Sequence, residues 1–260
     1  MSTGIGIGIA GQVYDLKPGV PGGGASYSNL YSMEFISASS SYLEALTTPL
    51  LGTSGTGAWT LSLWVNFDAV GLAANQRVMD LGYGGTQRLQ MYLNTSDGIA
   101  ISGPYTDNYN TIPLSAATWY NVIYRYDGNP SGTGNVGFVL SGELIGTNPQ
   151  NKTRTSPTFA ADGDTWFGRN SGGNYLNGFM DEISIWSTYL SNSECEELYN
   201  SGTPTDLASS SMSANLQHWW RMGDPAGPST YPTIPDVGAV GTNTLTMTGM
   251  TSVNIQTDVP

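Results

Sequence analysis

Few residues in this chain have the type and spacing to do chemistry. The single histidine, His218, alternates with Leu216, Trp220 and Met222. A packed imidazole is expected there, since no serine or cysteine sits in an elbow motif to partner it. The single cysteine, Cys195, has no basic neighbour to lower its pKa and reads as a small buried hydrophobe. Asp181 stands out. Counting by twos, it shares a strand face with Phe179, Ile183 and Ile185, and an ionised carboxylate in an apolar register must be paired or neutralised. Backbone N–H groups or an arginine could do this at a strand start. The run Tyr105-Thr106-Asp107-Asn108-Tyr109-Asn110 follows Gly103-Pro104. Its phenol rings suit stacking on sugar faces, and its amide and carboxylate groups suit hydrogen bonds to hydroxyls. Tyr105, Asp107, Asn108 and Tyr109 are therefore candidate ligand residues, although a turn-rich loop or a protein contact has the same composition.

A second motif is a coincidence. Gly6-Ile7-Gly8-Ile9-Ala10-Gly11 matches G-x-G-x-x-G, but a dinucleotide loop needs a strand before it and a helix opening at its third glycine. Only five residues precede Gly6, and Lys17-Pro18-Gly19 ends any helix soon after Gly11. Ile5, Ile7 and Ile9 would fall on one face of an isolated strand, with glycines permitting close backbone approach on the other. Those three isoleucines are the expected anchor to a partner protein. Residues 1–25, with the breaker-rich run Lys17 to Gly24, read as an extended arm.

The elements that must position these residues are strands. Charged residues make up only 11% of the chain, and polarity comes from Ser, Thr, Asn and Gly, with 34 glycines and 15 tyrosines. Such a mixture suits β-structure with tight turns. Trp59, Leu61, Leu63, Val65 and Phe67 alternate with mostly polar residues, the mark of a half-buried strand. Leu89, Met91 and Leu93 repeat the pattern, as do Tyr120, Val122, Tyr124 and Tyr126, and Val136, Phe138 and Leu140. Ser141-Gly142-Glu143-Leu144 predicts a hairpin led by glycine. One helix is predicted from Leu190 to Tyr199, with Ser191 as N-cap, Glu194 completing a capping box, a Leu190–Cys195 staple and Gly202 closing the end. The fold class is all-β: a two-sheet antiparallel jelly-roll sandwich with one short helix and an extended N-terminal arm, residues 26–260 forming the sandwich.

Gly168-Arg169 through Tyr175-Leu176-Asn177-Gly178-Phe179-Met180-Asp181-Glu182-Ile183-Ser184-Ile185-Trp186 resembles the G-R…Y-x-G-x-(I/M)-D-E-(V/I) core of laminin-G-like domains in the concanavalin A-like lectin/glucanase superfamily. Trp59 to Phe67, Trp119 to Gly128 and Leu190 to Tyr199 resemble three further motifs of that family, in order across about 150 residues. The resemblance implies a jelly roll, and implies that Asp181 is a ligand of one structural Ca²⁺ assisted by backbone carbonyls. Leu216 to Asp224 resembles a strand that opens the domain in many relatives, so its position here implies a circular permutation in which C-terminal strands complete the sandwich. Retaining glucanases of the superfamily carry E-x-D-x-x-E or E-x-D-x-E, with glutamates about 5–5.5 Å apart. No such run occurs. Glu194, Glu196 and Glu197 fall on the helix, so hydrolysis is disfavoured.

Charge bounds the partners. A net charge of −12 with eight Lys plus Arg opposes nucleic-acid binding and anionic membranes. No apolar run is long enough for a membrane span. No positive n-region precedes the Ile-Gly run, so a secretion signal is not expected, and the sequons at Asn94 and Asn151 carry little weight without one. Trp219-Trp220-Arg221-Met222-Gly223-Asp224 and the downstream Thr230-Tyr231-Pro232-Thr233-Ile234 are also similar to bacteriophage virion surface proteins. The expectation is a non-enzymatic virion surface protein, on capsid or tail, anchored by its arm to other virion proteins as a homo-oligomer or part of a larger assembly. It would stabilise the shell or adhere to host glycans. The alternatives are a free lectin of a bacterial extracellular surface and, less favoured, a diverged glycosidase.

Overall fold

The computed structural model describes residues 27–45, 50, 57–83, 88–102, 107–109, 112–128, 133–145, 150–153 and 164–260. In chain order the elements are β1 (Ser32–Phe35), β2 (Tyr42–Ala45), β3 (Trp59–Phe67), β4 (Gln76–Tyr83), β5 (Leu89–Leu93), β6 (Ile99–Ser102), β7 (Asp107–Tyr109), β8 (Trp119–Tyr126), β9 (Thr133–Leu140), β10 (Glu143–Leu144), β11 (Gln150–Thr153), β12 (Asp164–Phe167), β13 (Gly178–Trp186), α1 (Asn192–Tyr199), β14 (Leu216–Trp220), β15 (Thr233–Ile234), β16 (Leu245–Thr248) and β17 (Ile255–Gln256). Sheet A runs β10-β9-β8-β3-β13-β1-β17, with β11 beside β9 and β14 beside β13. Sheet B runs β15-β16-β2-β12-β4-β5-β6-β7. The strand after the helix, β14, pairs with β13 from Ile183 to Trp186, while β1 pairs with its other end from Gly178 to Met180. The two sheets form the expected antiparallel jelly-roll sandwich. Residues 1–25, including Ile5, Ile7 and Ile9, lie outside the described residues.

Period-two alternation builds the inter-sheet core. Leu61, Leu63, Val65 and Phe67 of β3 meet Leu89, Met91 and Leu93 of β5 within one apolar cluster. Each large apolar side chain removed from water there contributes about 1.5–3 kcal/mol. Strand β3 departs from expectation, because all nine of its residues are buried rather than alternate ones. The cause is a second cluster on the outer face of sheet A, where Cys195 and Leu198 of α1 pack with Ile123, Trp186 and Trp219. The polar residues of that face serve the helix. Thr60 donates through Oγ1 to the Thr188 carbonyl and accepts from the Leu190 N–H. Arg125 donates to the Leu190 carbonyl at 2.6 Å and to Asn192 Oδ1 at 3.0 Å.

The predicted capping box is present, with Ser191 Oγ accepting from the Glu194 N–H, and Leu190 and Cys195 are both buried beneath it. Asn200, not Gly202, takes the left-handed C-cap position; asparagine tolerates that conformation. The hairpin between β9 and β10 also differs. Leu140 pairs with Glu143, so Ser141-Gly142 forms the loop, and both residues have positive φ. That is the primed turn with glycine second, which matches the twist of the flanking strands.

The register at Asp181 needs the largest correction. Asp181 pairs with Trp64 while Ser184 pairs with Ser62, so β13 carries one extra residue there. Glu182 has a φ of +47°, and this β-bulge reverses the parity of everything beyond it. Met180, Ile183 and Ile185 therefore face the inter-sheet core. Asp181 keeps the face of Phe179, whose ring meets Trp119, and does not share a face with Ile183 and Ile185.

Candidate functional site

The two outer faces of the sandwich have different fates. On sheet A the helix and its flanking turns cover the centre of the surface, leaving the Trp119–Phe179 pair partly exposed at one end. On sheet B the described residues form no second apolar cluster. The side chains that alternate with its core residues are Tyr42 and Glu44 on β2, Asp80 on β4, and Gln90 and Tyr92 on β5. Tyr42, Glu44, Gln90 and Tyr92 are all partly exposed. Trp166 of β12 lies among them and donates its indole N–H to Glu44 Oε1 at 2.9 Å.

Three arginines join this face. Arg88 grips both carboxylate oxygens of Asp80 as a fork and donates to Ser171 Oγ at 3.1 Å. Gln90 donates to the same carboxylate at 3.0 Å, so Asp80 is fully engaged although buried. Arg77 lies 4.1 Å over the Tyr92 ring, and burial pulls its pKa down. Arg169 lies 4.4 Å over Trp166 and 4.5 Å over Tyr42, with Tyr175 at 5.6 Å. Cation–π contacts of this kind fix the plane of a guanidinium. The loop behind it is held by Asn170, whose Oδ1 accepts from the Gly172 and Asn174 N–H groups.

Aromatic faces beside fixed planar donors and acceptors form a surface that can stack on a ring and hydrogen-bond its substituents. The sequence points to this sheet only through Asp107 to Tyr109. Those residues form β7 at the sheet edge, with Asn108 in register with Ala100 of β6. Tyr105 lies outside the described residues. The arginine and aromatic positions were missed because they are dispersed over β2, β4, β5, β12 and the loop after it. The G-R pair at Gly168-Arg169 was the one local signal.

Asp181 belongs to a separate cluster on sheet A. Its Oδ1 accepts from the Glu182 N–H at 2.8 Å and its Oδ2 from Asn29 Nδ2 at 2.9 Å. Glu182 accepts from the Trp219 indole, from Arg221 Nε at 3.3 Å and from the Tyr27 hydroxyl at 3.4 Å. Asp224 accepts from the Leu30 and Tyr31 N–H groups. Burial raises the pKa of Asp181 well above the carboxylate range, with the charge of Glu182 adding to it; burial also pushes Glu182 up to about 7 despite Arg221. Side chains alone would not hold calcium here: each Asp181 oxygen already accepts a hydrogen bond, and no three His, Cys, Asp or Glu side chains converge as metal ligands among the described residues, whereas Ca²⁺ needs six to eight oxygens. The cluster instead docks residues 27–31 against β13 and β14. Beside it, Ser62, Trp64, Glu182 and Leu198 border a small, partly open cleft.

The imidazole of His218 is buried, as expected, with Nδ1 2.7 Å from Asp236 Oδ2. Asp236 also accepts from the Trp219 and Gly238 N–H groups. Cys195 is buried, and desolvation pushes its thiol up to about 11. Among the described residues, no helix is long and apolar enough to cross a membrane.

Comparison with known proteins agrees with the architecture. The chain is similar in structure to a Bacteroides ovatus protein classed as a candidate for carbohydrate binding. The two align with a TM-score of 0.63 and 21% identity over 90% of this chain and 62% of that one, so this chain spans about three fifths of that structure's length. A heptameric SAP-like pentraxin from Limulus polyphemus aligns at TM-score 0.46 and 11% identity, over 66% and 82% of the two chains. Domain 4 of AbnA, an extracellular arabinanase from Geobacillus stearothermophilus solved with arabinotriose, aligns at 0.44 and 17%, over 58% and 69%. No curated protein matches the sequence. The family model for the concanavalin A-like lectin/glucanases superfamily matches residues 38–195. With more than half of its length matched, the chain belongs to the concanavalin A-like lectin/glucanases superfamily.

Proposed function

We propose that this protein is a non-enzymatic, carbohydrate-binding jelly roll that takes its glycan on the outer face of sheet B. The observation that carries this reading is the contrast between the two faces. The helix α1 covers the centre of sheet A with an apolar cluster, whereas sheet B carries no such cover among the described residues and presents Tyr42, Tyr92, Gln90 and Arg169 partly exposed. The candidate binding role of the Bacteroides ovatus relative supports the same reading. Asp80 is held by Arg88 and Gln90, and Glu44 by Trp166, so the carboxylates of this face act as fixed acceptors rather than as an acid and a nucleophile.

The chain enters the sandwich on the opposite side. Tyr27 stacks on Trp219 at 6.4 Å and lies 4.6 Å from the Arg221 guanidinium, on the outer face of sheet A. Residues 1–25 would tether the domain to a larger assembly from there, leaving the glycan face outward. In its fuller form the reading is a virion surface protein, with Ile5, Ile7 and Ile9 contacting neighbouring virion proteins. A free lectin of a bacterial extracellular surface shares the glycan face and differs only in the tether. A glycan array tests the shared claim: saturable, sugar-competed binding is expected, and an array with no binding sugar would overturn it. Cosedimentation with particles separates the two forms. Loss of association on deleting residues 1–25 supports the virion tether, and undiminished association sinks it.

A further inference from the structure

The charge on the glycan face is unusual for this molecule. The chain has eight basic residues against a net charge of −12, yet Arg77, Arg88 and Arg169 all stand on the outer face of sheet B. Arg88 is neutralised by Asp80. Arg77 and Arg169 are not: among the described residues, neither has a carboxylate within ion-pair distance. The Nε and Nη1 atoms of Arg77 are buried without an acceptor in the described residues. Among the described residues, Arg169 donates through Nε to the Asn170 carbonyl at 3.2 Å, and its two Nη groups meet no acceptor there.

Backbone geometry places the two at the same end of β12 and β4. Strand β12 pairs Trp166 with Asp80 and Phe167 with Met79, and the Gly168 N–H then donates to the Val78 carbonyl at 2.8 Å. Arg169 follows Gly168 and Arg77 precedes Val78, so both leave the same end of this strand pair, Arg169 over Tyr42 and Trp166 and Arg77 over Tyr92. Gly168 is what turns Arg169 outward. Its φ is +86°, and a Cβ there would meet the Phe35 ring at 2.3 Å. A half-buried cation whose donors lack acceptors is costly. An anion at either guanidinium offsets that cost, and a planar guanidinium pairs with carboxylate or sulfate oxygens through two parallel N–H groups.

We propose that the ligand of this face is a glycan bearing an anionic group, a carboxylate or a sulfate ester, received by Arg169 and Arg77 while the neighbouring tyrosines stack on the sugar ring. The proposal rests on the carbohydrate-binding reading above and names its ligand class. Calorimetric titration of the full chain tests it with four probes: an oligogalacturonate, the same oligomer with its carboxyls reduced, a sulfated galactan oligomer, and inorganic sulfate. An anionic oligomer is expected to bind at least about tenfold tighter than the reduced one, with the gap closing at high salt. The better of the two anionic oligomers identifies the group. Arg169→Gln should abolish the preference for the anionic oligomer over the reduced one, and Arg169→Lys should restore it only in part. Arg77→Gln gives an independent second variant, and near-ultraviolet circular dichroism checks that each variant is folded. Equal affinity for charged and reduced oligomers, or an undiminished preference in both glutamine variants, overturns the anionic assignment and leaves the carbohydrate reading standing. Binding of inorganic sulfate with no oligomer bound overturns the carbohydrate reading, and binding of no probe counts against both.

Discussion

The indole of Trp219 donates its N–H to the Glu182 carboxylate, so that β14 clamps the Asp181–Glu182 bulge of β13. The bulge at Asp181-Glu182 would otherwise leave two adjacent carboxylates buried against a single arginine, Arg221. This arrangement makes stability depend on pH. The folded pKa of Glu182 is raised to about 7 and that of Asp181 is raised as well. A raised carboxylate favours the folded state fully below its unfolded pKa, and that contribution is lost as pH rises through the folded value. Tm is expected to fall between about pH 5 and about pH 8, and Glu182→Gln should flatten the slope. Thermal unfolding followed by circular dichroism across that range checks it; an unchanged slope in the variant contradicts it.

The buried His218–Asp236 pair acts in the opposite direction. Burial alone would raise Asp236, but hydrogen bonds from His218, Trp219 and Gly238 outweigh it and hold its pKa below the ordinary value. Its contribution is present above the unfolded carboxylate pKa and lost as pH falls through the depressed one. His218→Ala leaves Asp236 with backbone donors only and should cost about 2–3 kcal/mol in urea denaturation at neutral pH. A cost near zero would mean that the pair does not hold the segment around Asp236 to β14.

Gly168→Ala combines a positive φ with a clash against Phe35 in the core. It should destabilise by about 2–4 kcal/mol. Because the same residue orients Arg169, glycan affinity should fall in variant protein that is still folded at low temperature. Chemical denaturation and calorimetry measure the two effects separately.

Calcium is expected to leave Tm unchanged, because the Asp181 oxygens already accept from Glu182 and Asn29. Scanning calorimetry with added Ca²⁺ or chelator decides this. A saturable rise in Tm would restore a calcium site at Asp181.

Alternation made most of the sandwich legible in the sequence, since the inward residues of β3, β5 and β8 follow period two without interruption. The helix was legible because Ser191 and Glu194 carry a local signal. Counting by twos failed at Asp181, where a left-handed glutamate adds one residue to the strand, a feature no alternation pattern encodes. Asp236, the partner of His218, lies 18 residues away in sequence, and nothing local marks it. The face on sheet B was visible only at its edge, through Asp107 to Tyr109, because its aromatic and arginine residues come from separate strands. The circular permutation implied by family resemblance remains a proposal; the strand pairing of β14 beside β1 along β13 is compatible with it.

The central claim is that sheet B's outer face binds sugar, and titration of a glycan-array hit against three proteins tests it most directly. The proteins are the native chain, the Tyr42→Ala/Tyr92→Ala variant, and a control altered on the other sheet, Phe179→Ala. Loss of both rings should weaken binding by about tenfold or more, at about 1 kcal/mol per stacking ring, while the control binds as the native chain does. Native affinity in the tyrosine variant, or loss confined to the Phe179 control, would contradict the assignment of the face.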